Sequence, residues 1–218
     1  MISSHPTIYY VFLDMANVVC HQNIRVTKSI VSAGFSSANA EPSFRDDYLS
    51  GSADYFPFIP NQNLKPQFTS SFNLAATSLY TVEYNAERTR RELFPLAPSR
   101  LSAVFAFATE DDCSRASSLY GWNLSSVRRF RLIPHPLNRV ARVNMEIVSL
   151  MRFIQPRASF DEAQIRAVWS HYWNGRGAFD VELPVIKNGS LVRQTISAGE
   201  IWEYLIEGRL DLEGSHVP

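Results

Sequence analysis

The sequence predicts an α+β fold organised as one domain over residues 1–218, and three observations lead there. Strand-like and helical segments follow one another without the regular βαβ beat of a doubly wound sheet. A late Asn188-Gly189 pair between two β-type runs has the two-residue hairpin signature. The composition is that of a globular chain, 45% hydrophobic and 19% charged, with 12 Pro and 9 Gly. A chain of 218 residues forms one large domain or at most two small ones. Roughly 70% of its unfolded surface can be buried, so folding requires neither metal nor disulfide.

The elements follow in order. Residues 7–13 (Thr-Ile-Tyr-Tyr-Val-Phe-Leu) are β-branched and aromatic and open the chain as a strand. Residues 24–60 lack periodicity and read as a long irregular stretch. Phe44, Tyr48, Tyr55, Phe56 and Phe58 make it aromatic, so it folds over a ligand or plugs the core. Helix formers dominate from Leu74 to Leu93, and Pro95 and Pro98 stop that helix. Residues 100–108 read as a strand. Thr109 followed by Glu110, Asp111 and Asp112 reads as an N-cap with an acidic first turn, opening a helix to about Tyr120. Residues 126–133 read as a basic-faced strand, and 144–154 is ambiguous between strand and helix. Ser159-Phe-Asp-Glu resembles a capping box for a helix ending at Trp173. The hairpin pairs 179–186 with 190–196, and 198–207 reads as a closing amphipathic helix.

Several function classes are excluded. No apolar run approaches the ~18 residues of a membrane span, and Met-Ile-Ser-Ser-His-Pro is not a secretory signal pattern. A cytoplasmic setting without membrane contact is the expectation. Cys20 and Cys113 are the two cysteines, too few and too far apart for a disulfide framework or zinc ribbon. The five His are scattered, which argues against a metal site. Glycine-rich dinucleotide loops, a Walker lysine loop and His-Glu-x-x-His are all absent. A Ser/His hydrolase lacks a nucleophile elbow.

Charge is balanced, 21 basic against 21 acidic, but unevenly placed. Arginine outnumbers lysine, which occurs only as Lys28, Lys65 and Lys187. Between Asp112 and Glu146 no acid occurs, while Arg115, Arg128, Arg129, Arg131, Arg139 and Arg142 do. Glu200, Glu203, Glu207, Asp211 and Glu213 crowd the end of the chain. Two readings follow: the arginines track the phosphates of RNA or DNA, or the acidic tail packs beside the basic strand.

One pattern in three parts remains. It comprises the Tyr9-Tyr10 strand, then Phe94-Pro-Leu-Ala-Pro-Ser-Arg-Leu-Ser-Ala-Val-Phe-Ala-Phe, then Trp169-x-x-Tyr-Trp-x-Gly followed by Phe179-Asp-Val-Glu-Leu-Pro-Val. This arrangement resembles the ADP-ribosyltransferase superfamily, and within it a bacterial, toxin- and effector-like branch with a Pro-Ser-Arg-Leu segment before an aliphatic strand. The resemblance implies a split core of two small sheets with flanking helices, gripping NAD as substrate without a metal. It further implies Glu182 as catalytic carboxylate with Ser102 beside it, and Tyr9, Tyr10, Ser99 and Arg100 around the cofactor. Tyr9 and Tyr10 stand where the family carries Arg or His.

The implied function is transfer of ADP-ribose from NAD to a macromolecule by a toxin or phage-defence effector. RNA or DNA is the favoured acceptor, held by Arg128, Arg129, Arg131, Arg139 and Arg142, with protein as the other. Such a protein would have an antitoxin or inhibitor protein as partner. The competing class is a non-catalytic nucleic-acid-binding or protein-interaction module of the same fold. The chemistry suits these residue types independently. Breaking a glycosidic bond passes through an oxocarbenium-like state that a fixed carboxylate stabilises. The arginine fork binds pyrophosphate, and an aromatic ring stacks on nicotinamide.

Overall fold

A computed structural model describes residues 5–55, 71–155, 160–188 and 190–214. In chain order the elements are β1 (Ile8–Phe12), α1 (Val18–Gln22) running into a π turn (Asn23–Thr27), β2 (Ser29–Val31), α2 (Ala33–Ala40) and α3 (Pro42–Ser50). Next come α4 (Ser71–Leu93), β3 (Val104–Ala106), α5 (Glu110–Tyr120), β4 (Val127–Leu132), β5 (Arg139–Asn144) and α6 (Met145–Ile154). The chain continues with α7 (Glu162–Trp173), β6 (Phe179–Lys187), β7 (Ser190–Ala198), β8 (Trp202–Glu207) and β9 (Arg209–Leu212). Among the described residues, helices and three small sheets make this a mixed α+β protein. The expected single domain is organised as two compact units. One comprises residues 1–53, 95–142 and 201–218; the other comprises 54–94 and 143–200.

The first unit holds a four-stranded sheet in the order β1-β4-β9-β2 and a three-stranded sheet in the order β3-β8-β5. Tyr10 and Phe107 stitch them together by exchanging two backbone hydrogen bonds of 2.8 Å. Both sheets feed one core. Tyr9, Val11, Phe130 and Leu210 come from the larger sheet, and Ala106, Tyr204 and Ile206 from the smaller. The alternation of a strand decides which residues go in. In β1 it buries Tyr9 and Val11 and leaves Ile8, Tyr10 and Phe12 half-buried. Along β8 it sends Tyr204 and Ile206 into this core and sets Glu203, Leu205 and Glu207 on the other face.

Residues 24–60, expected to be irregular, contain β2, α2 and α3. Their rings plug a small core of Phe35, Ala38, Tyr48 and Leu137 with Phe44 against it, and the Tyr48 hydroxyl donates to the Leu137 carbonyl at 2.8 Å. Phe56 and Phe58 lie outside the described residues. Gly51 ends α3 at φ +80, and its α-carbon approaches Pro95 so closely that an added Cβ would sit 2.1 Å from the Pro95 oxygen. Any side chain there meets both strain and a clash.

The second unit joins α4, α6 and α7 to the β6–β7 hairpin, whose register pairs Phe179 with Ala198 and Lys187 with Ser190. The ambiguous segment 144–154 is helical because Asn144 caps it, accepting from the Glu146 N–H at 3.2 Å. Its apolar stripe Ile147, Val148, Met151 and Ile154 is buried. The α7 capping box sits later than expected. Asp161 and Gln164 exchange bonds of 2.8 and 2.9 Å, while Ser159 falls outside the described residues. Helix α5 begins as expected, with Thr109 accepting from the Asp112 N–H at 3.1 Å.

Two strand expectations change. The strand foreseen at 100–108 begins at Val104, because residues 99–103 form a tight turn in which the Ser99 carbonyl accepts from Ala103 N–H at 2.9 Å. The closing helix foreseen at 198–207 is instead strand β8. Glutamates four apart mimic a helix face. On β8 they occupy one face of a strand instead, and each has an arginine partner inside the unit.

Candidate functional site

The site is built on β8, the central strand of the three-stranded sheet, and on the turn that precedes β3. Pro95 and Pro98 hold the approach to that turn, where fixed φ angles limit the chain's freedom. Ser99, Arg100 and Ser102 are all buried, and β8 brings two buried carboxylates against them. Arg100 donates from Nη1 to Glu203 Oε1 at 3.1 Å, with both side chains under a tenth exposed. The Arg100 guanidinium also lies 5.0 Å from the Phe105 ring centre, a cation–π contact on the face shared by Glu203.

Glu207 has no exposed surface and anchors the turn. Its Oε1 accepts from the Ser99 N–H at 3.1 Å and from the Ser102 hydroxyl. Oε2 lies 3.8 Å from Arg139 Nη1. Arg139 in turn stacks 3.9 Å over the Tyr48 ring. Two arginine–glutamate pairs are thus withdrawn from water along one strand face. Burying ions costs several kcal/mol that a hydrophobic pair would not incur, and such clusters concentrate where chemistry is done. Glu207 holds the turn in place, whereas Arg100 and Glu203 form the second pair beside the half-exposed Phe105.

The residues predicted from sequence distribute as follows. Ser99, Arg100 and Ser102 come together in the first unit. Tyr9 is a core residue without exposed surface, packed edge-on against Tyr204 at 5.4 Å. Burial, then the neighbouring Tyr204, pushes its phenol well above the usual range, so it offers a ligand no reachable group. Tyr10 is half-buried, opposite Arg129 on β4. Glu182 belongs to the second unit, on β6, 61% exposed and paired with Arg193 at 3.3 Å. It lines a cavity of about 430 Å³ together with Asp180, Gln164 and Arg193. Within the first unit, the carboxylates beside Arg100 and Ser102 are Glu203 and Glu207.

The arginines proposed for nucleic acid have partners within the first unit. Arg128 donates to the Ser125 and Val127 carbonyls at 2.7 and 2.8 Å. Arg129 pairs with Glu213 at 3.0 Å, and Arg131 shares the same carboxylate. Arg142 stacks 3.7 Å over Trp202. Antiparallel pairing of β4 with β9 brings the basic strand and the acidic tail together, so the packing reading of the charge asymmetry describes Arg129, Arg131 and Arg139. Arg129 and Arg131 stay half-exposed on one face of β4.

Sequence reasoning missed Glu203, Glu207, Trp202 and Tyr48 as site residues. A signal for β8 was present, since Trp202-Glu-Tyr-Leu-Ile-Glu is rich in aromatic and aliphatic residues and bracketed by Gly199 and Gly208. Among the described residues, no group of three His, Cys, Asp or Glu is placed to hold a metal ion, and no helix is long and apolar enough to cross a membrane. Burial, with Asp112 and Glu110 nearby, pushes the Cys113 thiol up to about 12, which disqualifies it as a thiolate nucleophile. No protein-family model and no curated protein matches the chain.

Proposed function

We propose that the first unit binds NAD and transfers its ADP-ribose to a macromolecular acceptor, with Arg100 on the pyrophosphate and Glu203 at the reacting ribose. The observation that carries this reading is the buried Arg100–Glu203 pair beside the Ser99–Ser102 turn. It supplies what the reaction needs: a fork for phosphate and a fixed carboxylate for developing positive charge. Pyrophosphate competes with Glu203 for the guanidinium and frees the carboxylate for the ribose. The bond from ribose C1′ to the nicotinamide nitrogen breaks, and its electron pair leaves with nicotinamide. An oxygen or nitrogen lone pair of the acceptor forms the new bond to C1′ and gives up its proton to solvent.

The two small sheets of the first unit fit the split core that the family resemblance implies. A bacterial toxin or defence-effector setting, with an antitoxin or inhibitor protein as partner, is supported by the Pro98-Ser-Arg-Leu resemblance. Arg128 and Arg142, held by carbonyls and by the Trp202 ring and not by a carboxylate, support an RNA or DNA acceptor over a protein one. Calorimetry tests the cofactor step. Arg100→Lys keeps the charge but loses the fork, and NAD affinity should fall about 10-fold or more, given the strength of bidentate pairs. A control change at half-exposed Arg152 should leave affinity alone. Equal NAD affinity in wild type and Arg100→Lys would sink the assignment.

A further inference from the structure

We propose that the rings gathered at the end of α5, Tyr120 and Trp122 backed by Phe12, bind single-stranded nucleic acid by stacking on its unpaired bases. Local chemistry holds these rings in place. Gly121 ends α5 in the left-handed region at φ +69, which turns the chain out of the helix. The Ser117 hydroxyl donates to the Trp122 carbonyl at 2.7 Å and pins the residue there. Tyr120 stacks on the indole, with ring centres 5.3 Å apart and planes 28° apart. From β1, Phe12 meets the indole edge-on at 5.2 Å and rests in turn on buried Phe107.

Trp122 nevertheless keeps 41% of its surface exposed, with Leu119 at 58% and Leu124 at 46% on either side of it in the chain. Exposed apolar side chains grouped in this way mark a binding surface. The surrounding charge selects the partner. Arg115 lies one helical turn before Leu119, on the same exposed face of α5. Arg128 follows the turn Leu124–Ser126, and its guanidinium is fixed by the Ser125 and Val127 carbonyls at 2.7 and 2.8 Å. No acid occurs from residue 113 to 145. The acids of α5 sit in its first turn, at the far end from Trp122. Asp14, beyond Phe12, caps its own loop by accepting from the Ala16 N–H at 3.1 Å. Fixed rings beside guanidinium groups, without carboxylates, are complementary to a strand of flat bases and phosphates. A duplex stacks its base faces on one another, so this surface takes single strands.

This inference deepens the acceptor half of the proposed function, on which it rests, and narrows the acceptor to single strands. Its test contains no NAD, so failure to bind a strand and failure to transfer ADP-ribose are separate results. Labelled oligo(U) and oligo(dT) of about 12 nucleotides, and a duplex of the same length, are titrated with the full chain and read by fluorescence anisotropy. At least one single strand should bind with a Kd at or below about 100 μM at low salt, and the duplex about 10-fold more weakly. Trp122→Ala should weaken binding about 10-fold or more through the lost stack. Leu119→Glu places a negative charge on the exposed face and should do the same; it serves if Trp122→Ala does not fold. Val26, 72% exposed on the π turn next to β2, provides the control. Val26→Glu adds the same charge elsewhere and should bind as wild type. The proposal is overturned if no single strand binds or if the duplex binds as tightly. It is equally overturned if a folded Trp122→Ala or Leu119→Glu chain binds as before, or if Val26→Glu weakens binding as much as Leu119→Glu.

Discussion

Replacing Glu207 with alanine is expected to cost about 3–5 kcal/mol of folding stability, the range for removing one partner of a buried ion pair. The loss has three sources. The Arg139 guanidinium keeps its place over Tyr48 but loses its countercharge. The Ser99 N–H and the Ser102 hydroxyl lose the acceptor that holds the turn before β3. Ser99 and Ser102 are buried, so neither recovers its lost bond from water. Glu207→Gln restores a neutral acceptor for the turn without the charge and should recover part of the loss. Urea denaturation read by tryptophan fluorescence measures both variants. A Glu207→Ala midpoint equal to wild type would mean that Glu207 does not organise this turn.

The second large effect is on rate. Under the proposed transfer, Glu203→Gln keeps an oxygen for Arg100 but removes the charge opposed to the forming oxocarbenium. Loss of one such electrostatic contact typically costs about 100-fold or more in turnover. The change also leaves Arg100 without a countercharge, so the assay belongs well below the variant's unfolding temperature. Glu182→Gln is the matched control. Glu182 is 61% exposed and pairs with Arg193 in the other unit, so turnover should stay within about twofold, as for most surface changes. Loss of turnover in Glu182→Gln with retention in Glu203→Gln would return the carboxylate role to the hairpin.

Where local chemistry settled the outcome, the fold was legible. The Thr109 cap with its acidic turn placed α5, the prolines after Leu93 stopped α4, and Asn188 marked the hairpin. Tertiary partners decided what was missed. Glu203 and Glu207 look like one face of an amphipathic helix until Arg100 and Arg139 are seen to neutralise them, and no local rule links residues so far apart in the chain. The short β2 and β9 exist because they pair with each other, and three or four residues carry too little periodicity to announce a strand. The grouping of Ser99, Arg100 and Ser102 was legible because prolines mark the turn that joins them. Tyr9 was misplaced because adjacent tyrosines on a strand point to opposite faces, and nothing in the pair itself says which is the inner one.

The central claim is NAD-dependent transfer by the first unit. Its most direct test is to incubate the purified chain with NAD labelled in the adenylate portion, in separate mixtures containing RNA, DNA or protein. Released nicotinamide and label on the macromolecule are then measured together. The predicted result is nicotinamide release matched by label on nucleic acid, both abolished in Glu203→Gln. Intact NAD and unlabelled acceptors in every mixture, with the wild-type chain folded, would contradict it.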